Sequence, residues 1–209
     1  MFTGIITEVG KVLEATTAKL VVAAGKVNAN MELGQSVAVN GVCLTVTAFN
    51  ERYFSVEVMP QTLRLTNLGR LRPAEKVNLE NALALGGQVG GHLVQGHIDA
   101  TGKVTTITRE AEAKRIKISA SPEVMRYVVD KGFIAVDGIS LTVADTGSNW
   151  FGISIVGYTL TNTTIVDWRA GTLVNLETDI IGKYVAKLAS ARSGTVTRRF
   201  LQEQGFLVT

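Results

Sequence analysis

The sequence predicts an all-β protein made of two tandem copies of one small unit, a closed barrel or a sandwich. Three observations carry this. One stretch occurs twice, as Ser36-Val-Ala-Val-Asn-Gly-Val-Cys-Leu-Thr-Val46 and as Phe133-Ile-Ala-Val-Asp-Gly-Ile-Ser-Leu-Thr-Val143. Each copy reads as two strands around a tight turn, because Asn, Asp and Gly accept the positive φ such turns need. Short alternating apolar runs broken by Gly-rich turns fill the rest of each copy. Both copies close on Val-Asn-Leu-Glu, at 77–80 and 174–177, and the spacing of 97 residues holds from hairpin to closing strand. Solenoid repeats run to ~20–50 residues, so this is a duplicated domain. A barrel also removes exposed strand edges.

The elements follow in order. Phe2, Ile5, Ile6 and Val9 read as an opening strand leading to Gly10-Lys11-Val12, and Gly96 to Gly102-Lys103-Val104 repeats that opening 92 residues later. Residues 20–24 read as a strand and 27–34 as a turn or short helix. The counterpart of that turn, 122–131, carries Val124, Met125, Val128 and Val129 at helical spacing. Strands are expected over 53–59 and 151–156, each followed by Thr-Leu (Thr62-Leu63 and Thr159-Leu160). The linker 83–91 holds two Gly-Gly pairs. After Glu177 the pattern changes. Thr178 or Asp179 can cap a helix carrying Ile180, Ile181, Tyr184, Val185 and Leu188. That apolar stripe either docks on its own domain or mediates oligomerisation. Ser193-Gly194 interrupts it, a second short helix is expected over 196–204, and 206–209 reads as a mobile tail.

Composition narrows the partners. Hydrophobic residues make up 46% of the 209, enough for a real core. The net charge of +3 is scattered, without a Lys/Arg block, and gives little support for nucleic acid. No apolar run approaches the ~20 residues that span a bilayer. The N-terminus lacks a basic region followed by an apolar stretch. A single cysteine excludes an internal disulfide and fits a reducing compartment. A cytoplasmic protein is the default, with a removed organelle-targeting peptide left open.

Chemistry-bearing residues are few. Gly4-x5-Gly10-Lys11 and Gly96-x5-Gly102-Lys103 have the wrong spacing for a phosphate loop and lack the Ser/Thr after Lys. Both histidines lie in Gly90-Gly-His92-Leu-Val-Gln-Gly-His97. They lack further ligands nearby for a metal. Either can move protons near neutral pH, and His92 reads more as a structural hydrogen-bonder. Cys43 is a core hydrophobe or a reactive thiol. Ser140, Thr142 and Thr45 offer hydroxyls, and Asp137 reads as a turn residue.

Taken together, Met1-Phe-Thr-Gly-Ile-Ile, Asn40-Gly-Val-Cys-Leu-Thr-Val, Gly90-Gly-His-Leu-Val-Gln-Gly-His-Ile-Asp99, the run 131–143 and the two Val-Asn-Leu-Glu closures resemble riboflavin synthase of the α-chain type, over roughly residues 1–190. The resemblance implies two similar six-stranded antiparallel Greek-key barrels plus a C-terminal α-helix. It divides the chain into lumazine-binding barrels at 1–90 and 91–178 and a helical oligomerisation segment at 179–209. It implies a homotrimer in which the first barrel of one subunit faces the second barrel of a neighbour, and it leaves open any association with lumazine synthase. The implied reaction dismutates two molecules of 6,7-dimethyl-8-ribityllumazine, by transfer of a four-carbon unit, to riboflavin and 5-amino-6-ribitylaminouracil. No cofactor and no metal take part. By the same resemblance, Gly4, Ile5, Ile6, Cys43, Leu44, Thr45, Glu57, Val58, Met59, Pro60, Gln61 and Thr62 line the first pocket. Gly96, His97, Ile98, Lys131, Ser140, Leu141, Thr142, Val156, Gly157, Tyr158, Thr159, Leu160 and Thr161 line the second. Cys43, His97, Ser140 and Asp137 are the expected catalytic groups. Bacterial members often carry Pro-His where this chain has Gly157-Tyr158, and an acidic residue where it has Gln61. Altered affinity rather than lost activity is expected there. The alternative is a non-catalytic lumazine or flavin carrier on the same barrels.

Overall fold

The computed structural model describes residues 1–192 and Gln202. The helix expected over 196–204 and the tail 206–209 therefore lie, but for Gln202, outside the described residues. The chain forms two closed barrels. The first runs β1 (Glu8–Ala15), β2 (Lys19–Ala23), β3 (Ser36–Val39), β4 (Val42–Phe49), β5 (Tyr53–Glu57) and β6 (Lys76–Asn81), in ring order β1-β2-β5-β4-β3-β6. The second runs β7 (Ala100–Glu110), β8 (Ala113–Ser119), β9 (Phe133–Val136), β10 (Ile139–Thr146), β11 (Trp150–Ile155) and β12 (Leu173–Thr178), in the same relative order. All neighbours are antiparallel, and the jump from β2 to β5 and from β3 to β6 is a Greek-key connection.

Alternation decides which side chains go inside. On β4, Val42, Leu44 and Val46 are buried while Thr45 and Thr47 are exposed; Ile139, Leu141 and Val143 repeat this on β10. The cores match position for position, with Phe54 and Phe151 both at 0% exposure. Each barrel bends its ring with paired β-bulges, at Val12/Glu14 and Val46/Ala48 and again at Val104/Thr106 and Val143/Asp145. The expected glycine pair explains itself here. A Cβ on Gly10 would lie 2.5 Å from Leu79, and one on Gly102 2.7 Å from Leu176. These glycines admit a core leucine and hold no phosphate.

The two hairpin turns meet on a local twofold axis. Asn40-Gly41 and Asp137-Gly138 all have positive φ, as a type I′ turn demands. A Cβ on Gly41 would lie 2.6 Å from the Gly138 nitrogen, so the turns touch backbone to backbone.

Two expectations on element bounds are corrected. Residues 1–7 are no strand of the first barrel; only Phe2 pairs, in an isolated bridge to Val94. The helix expected over 122–131 shortens to α2, with α1 (Pro60–Leu65) preceding it and α2 itself spanning Pro122–Met125. Val124 and Val128 are buried but Val129 is exposed. The chain must turn there, with Lys131 at φ 64, to begin β9. Two short helices follow the fifth strand of each repeat, α1 and then α3 (Gly157–Asn162), neither of which the sequence pattern announces. The final helix, α4 (Ile180–Arg192), starts at an Asp179 cap, whose Oδ1 accepts from Ile181 N at 3.0 Å. Its Ile181, Tyr184, Val185 and Leu188 are 57–65% exposed, so the stripe does not dock on its own barrel.

Candidate active site

Two arms cross between the barrels. The arm before β1 is gripped by Glu80 at the end of its own barrel: Thr3 N and Thr3 Oγ1 donate to Glu80 Oε1 at 2.7 and 2.8 Å, and Gly4 N to Oε2 at 3.0 Å. Glu177 holds the arm before β7 in the same way, through Gln95 N, Gly96 N and His97 N at 2.6, 2.9 and 3.0 Å. Each arm then passes to the other barrel. Ser140 N donates to Gly4 O at 2.8 Å, and Cys43 N donates to Gly96 O at 3.0 Å. Ile6 packs on the second core and Ile98 on the first. The crossing arms pair with each other through Phe2 and Val94.

This exchange corrects the expected pocket assignment. Gly4, Ile5 and Ile6 stand beside Ser140 in the second barrel, whereas Gly96, His97 and Ile98 stand beside Cys43 in the first. On the first barrel, Cys43 and Thr45 thus share the outer face of β4 beside the second arm, His97 of that arm is exposed, and the β5–α1 corner runs from Glu57 to Thr62. A groove of about 540 Å³ opens at that corner, lined among others by Lys19, Thr47, Glu57, Met59 and Pro60. Its size suits a small organic ligand. On the second barrel, Ser140 and Thr142 share the outer face of β10 beside the first arm, Ile5 and Lys131 are exposed, and the corresponding corner runs from Val156 to Thr161. Leu44 and Leu141, expected as lining residues, point into the barrel cores at 6–7% exposure, whereas Val58, 4% exposed, packs on its core and also lines the groove. Alternation forces the leucines inward, since Cys43 and Thr45 flank Leu44 on the outer face. Met59, Val156 and Tyr158 are 63–79% exposed, leaving apolar surface at both corners.

The electrostatics separate the expected catalytic groups. Ser140 Oγ lies 2.7 Å from His92 Nδ1. The imidazole stacks on Phe133 at 5.3 Å and an interplanar angle of 10°. Burial lowers its pKa, opposed by the charge of Asp179. Cys43 is half-buried, and no side chain among the described residues hydrogen-bonds its sulfur. Asp137, expected beside them, is drawn instead into the junction of the barrels. Its Oδ1 accepts from Asn175 N at 2.7 Å and from Asn67 Nδ2 at 2.9 Å. Asn78 Nδ2 donates to Asp137 O and Asn175 Nδ2 to Asn40 O, at 3.0 and 2.8 Å, across the twofold axis. Burial pushes the Asp137 carboxyl up to about 7 against those two donors. Asp137 lines a second cavity of about 490 Å³ between the barrels, with Asn67, Arg70 and Trp168.

Sequence reasoning passed over the residues that build this frame. Glu80 and Glu177 were visible in the repeated Val-Asn-Leu-Glu closure. A buried carboxylate kept in both copies of a strand is the signal, since it must have partners. Burial raises both pKa values, with the arm amides pulling the other way. Asn78 and Asn175 belong to the same motif. Asp99 ties α4 to the second barrel through Thr178 N at 2.8 Å and Lys183 Nζ at 2.6 Å. No group of three or more His, Cys, Asp or Glu side chains gathers for a metal among the described residues. No helix among them is long and apolar enough to cross a membrane.

Comparison with known proteins gives the geometry its relatives. The lumazine binding domain matches twice, at residues 3–82 and 95–179. Riboflavin synthase of Actinobacillus pleuropneumoniae is 44% identical, over 99% of this chain and 100% of its own. Riboflavin synthases of Mycobacterium tuberculosis and Bacillus subtilis are 46% and 39% identical, over 90% and 99% of this chain and 98% and 100% of their own. Among solved structures, LumP complexed with riboflavin superposes with a TM-score of 0.78 at 23% identity, over 85% of this chain and 99% of that one. LumP complexed with 6,7-dimethyl-8-(1'-D-ribityl) lumazine gives 0.77 at 22%, over the same shares. These two share the fold.

Proposed function

The chain belongs to the riboflavin synthase family, with two lumazine binding domains, and from that premise we propose that it is itself a riboflavin synthase. It dismutates two molecules of 6,7-dimethyl-8-ribityllumazine, moving a four-carbon unit from one to the other. The products are riboflavin and 5-amino-6-ribitylaminouracil. One observation carries the reading: each repeat's arm crosses to the other barrel, where the Gly4 and Gly96 carbonyls accept from Ser140 N and Cys43 N at matched positions of the duplicated unit. Two copies of one substrate call for two related sites, and holding both rings in place removes much of the entropy cost of a bimolecular step. The groups proposed to bind are those at the two corners and on the arms; Cys43, His97 and Ser140 carry catalytic weight. We take 1–90 and 91–178 as the lumazine-binding units, and the compartment as cytoplasmic.

The exposed stripe of α4 supports a homotrimer. In it the first barrel of one subunit meets the second barrel of the next, so the site is shared. The test is direct. The purified chain is incubated with the lumazine, with chelator and without cofactor, and riboflavin is followed by absorbance. One riboflavin per two lumazines consumed is expected. Tight binding without turnover would instead make it a carrier. Sedimentation of a fully active monomer would overturn the shared site.

A further inference from the structure

We propose that the cavity between the two barrels is a further binding site, for a small neutral polyhydroxylated molecule. Its walls come as matched pairs from the two repeats, 97 residues apart. Arg70 matches Asp167, and Leu71 matches Trp168. Glu75 matches Thr172, and Lys76 matches Leu173. Among the buried walls, Asn40 matches Asp137 and Asn67 matches Thr164. The cavity therefore lies on the local twofold axis, yet all six pairs differ in chemistry, whereas the barrel cores match position for position. Such walls suit a ligand whose two ends are unlike. The cavity also lies away from the crossing arms. Lys76 and Leu173 stand four residues before Glu80 and Glu177, which grip the arms, roughly 13 Å along each strand.

The walls select the chemistry of the ligand. Two cations, Arg70 and Lys76, stand against two anions, Glu75 and Asp167, so a strongly charged molecule finds no excess of either sign. Burial pushes Asp137 up to about 7, so at pH 6 it is mostly uncharged as well. Lys76 and Asp167 pair at 2.9 Å, and Glu75 accepts from Arg72 N at 2.8 Å, but the Arg70 guanidinium has no partner among the described residues. The Thr164 hydroxyl oxygen is buried beside the cavity and is also without a partner among them. Donors and acceptors are thus interleaved, and a hydroxyl, which donates and accepts at once, serves both. Leu71 and Leu173 give the carbon chain an apolar contact. Trp168 is only 8% exposed and offers no broad ring face, so a flat aromatic molecule gains little. The volume of about 490 Å³ fits a small molecule. Two sources carry this chemistry: a free sugar alcohol, and the ribityl chain of the proposed substrate and product.

The chain has two tryptophans, and only Trp168 lines the cavity; Trp150 lies under Lys117 on β11. Ribitol is titrated into the nitrogen-15-labelled chain at pH 6 while both indole signals are followed. The Trp168 signal should shift saturably, with half-saturation at about 1–10 mM, and Trp150 should stay still. Arg70→Ala and Asp167→Ala, both at exposed positions, should each weaken binding about tenfold. Melting temperatures are recorded, and Asp167→Ala carries the test if Arg70→Ala does not fold. Riboflavin is titrated in parallel. A Trp168 shift with riboflavin that Arg70→Ala removes assigns the site to a ribityl chain; a shift with ribitol alone assigns it to a free sugar alcohol. No saturable shift with either compound, or equal affinity in the parent and both variants, would refute the site. Tighter binding of inorganic phosphate than of ribitol would refute its neutral ligand. None of these readings needs riboflavin to be formed, so failure here and failure of the enzymatic reading are told apart.

Discussion

Asn40 and Asp137 occupy one place in the two repeats, yet only Asp137 can lose a proton. Burial pushes its carboxyl up to about 7 in the folded chain, well above the ordinary value of 3.8. The native state therefore binds the extra proton between those values, and stability falls as pH rises from about 4 to 7. Asp137→Asn keeps the acceptor for Asn175 N and Asn67 Nδ2. It should raise stability by roughly 4 kcal/mol at pH 8 and hardly at all at pH 4, read from denaturant midpoints at the two pH values. Turnover should survive, because the carboxyl serves the junction of the barrels. Ser140→Ala and Cys43→Ser should each lower kcat by about tenfold or more, and full turnover in both would remove them from the chemistry. Both residues were legible in the sequence because they fall at matched positions of a repeat. Asp137 was legible as a turn residue, but a turn motif gives the backbone conformation and not the side of the turn on which the buried donors lie.

At the scale of elements, the arms decide more than the strands do. Gly96 has φ 83, and a Cβ there would lie 2.5 Å from Cys43. Gly4 repeats this against Ser140 at φ 76. Gly96→Ala should cost about 2 kcal/mol or more and distort the first-barrel pocket, although Gly96 lies in the second repeat. Thermal unfolding and lumazine affinity check this, and an unchanged melting temperature would refute the crossing contact. The strands themselves were readable, since alternation in 36–46 and 133–143 fixes which side chains are interior. The crossing was not. Phe2, Ile5 and Ile6 look like a strand because they must be buried, and an apolar run does not say against which barrel. The helices α1 and α3 escaped for a related reason: six residues with no buried side chain leave no helical stripe to see.

For the whole molecule, the apolar face of α4 is the feature with most at stake. If α4 builds the proposed trimer, Val185→Asp combined with Leu188→Lys should shift the sedimenting species to monomer and abolish riboflavin formation, with the barrel circular dichroism kept. An active monomer would disprove the shared site. The duplication was legible from one repeated motif and one constant spacing. Whether the helix docks on its own barrel was not, because the stripe looks the same either way and only its 57–65% exposure shows that it does not. The exchange of arms also sets an order of events during synthesis. The partner of Cys43 N, the Gly96 carbonyl, lies 15 residues beyond the end of β6 at Asn81, so the first barrel's own strands are made before that contact can form. Thr3 and Gly4, made first, bond Glu80 of their own barrel, but the Gly4 carbonyl meets Ser140 N only once the second barrel forms. With chain growth at about 5–20 residues per second, that contact waits several seconds or more. Neither barrel is finished before the other has begun.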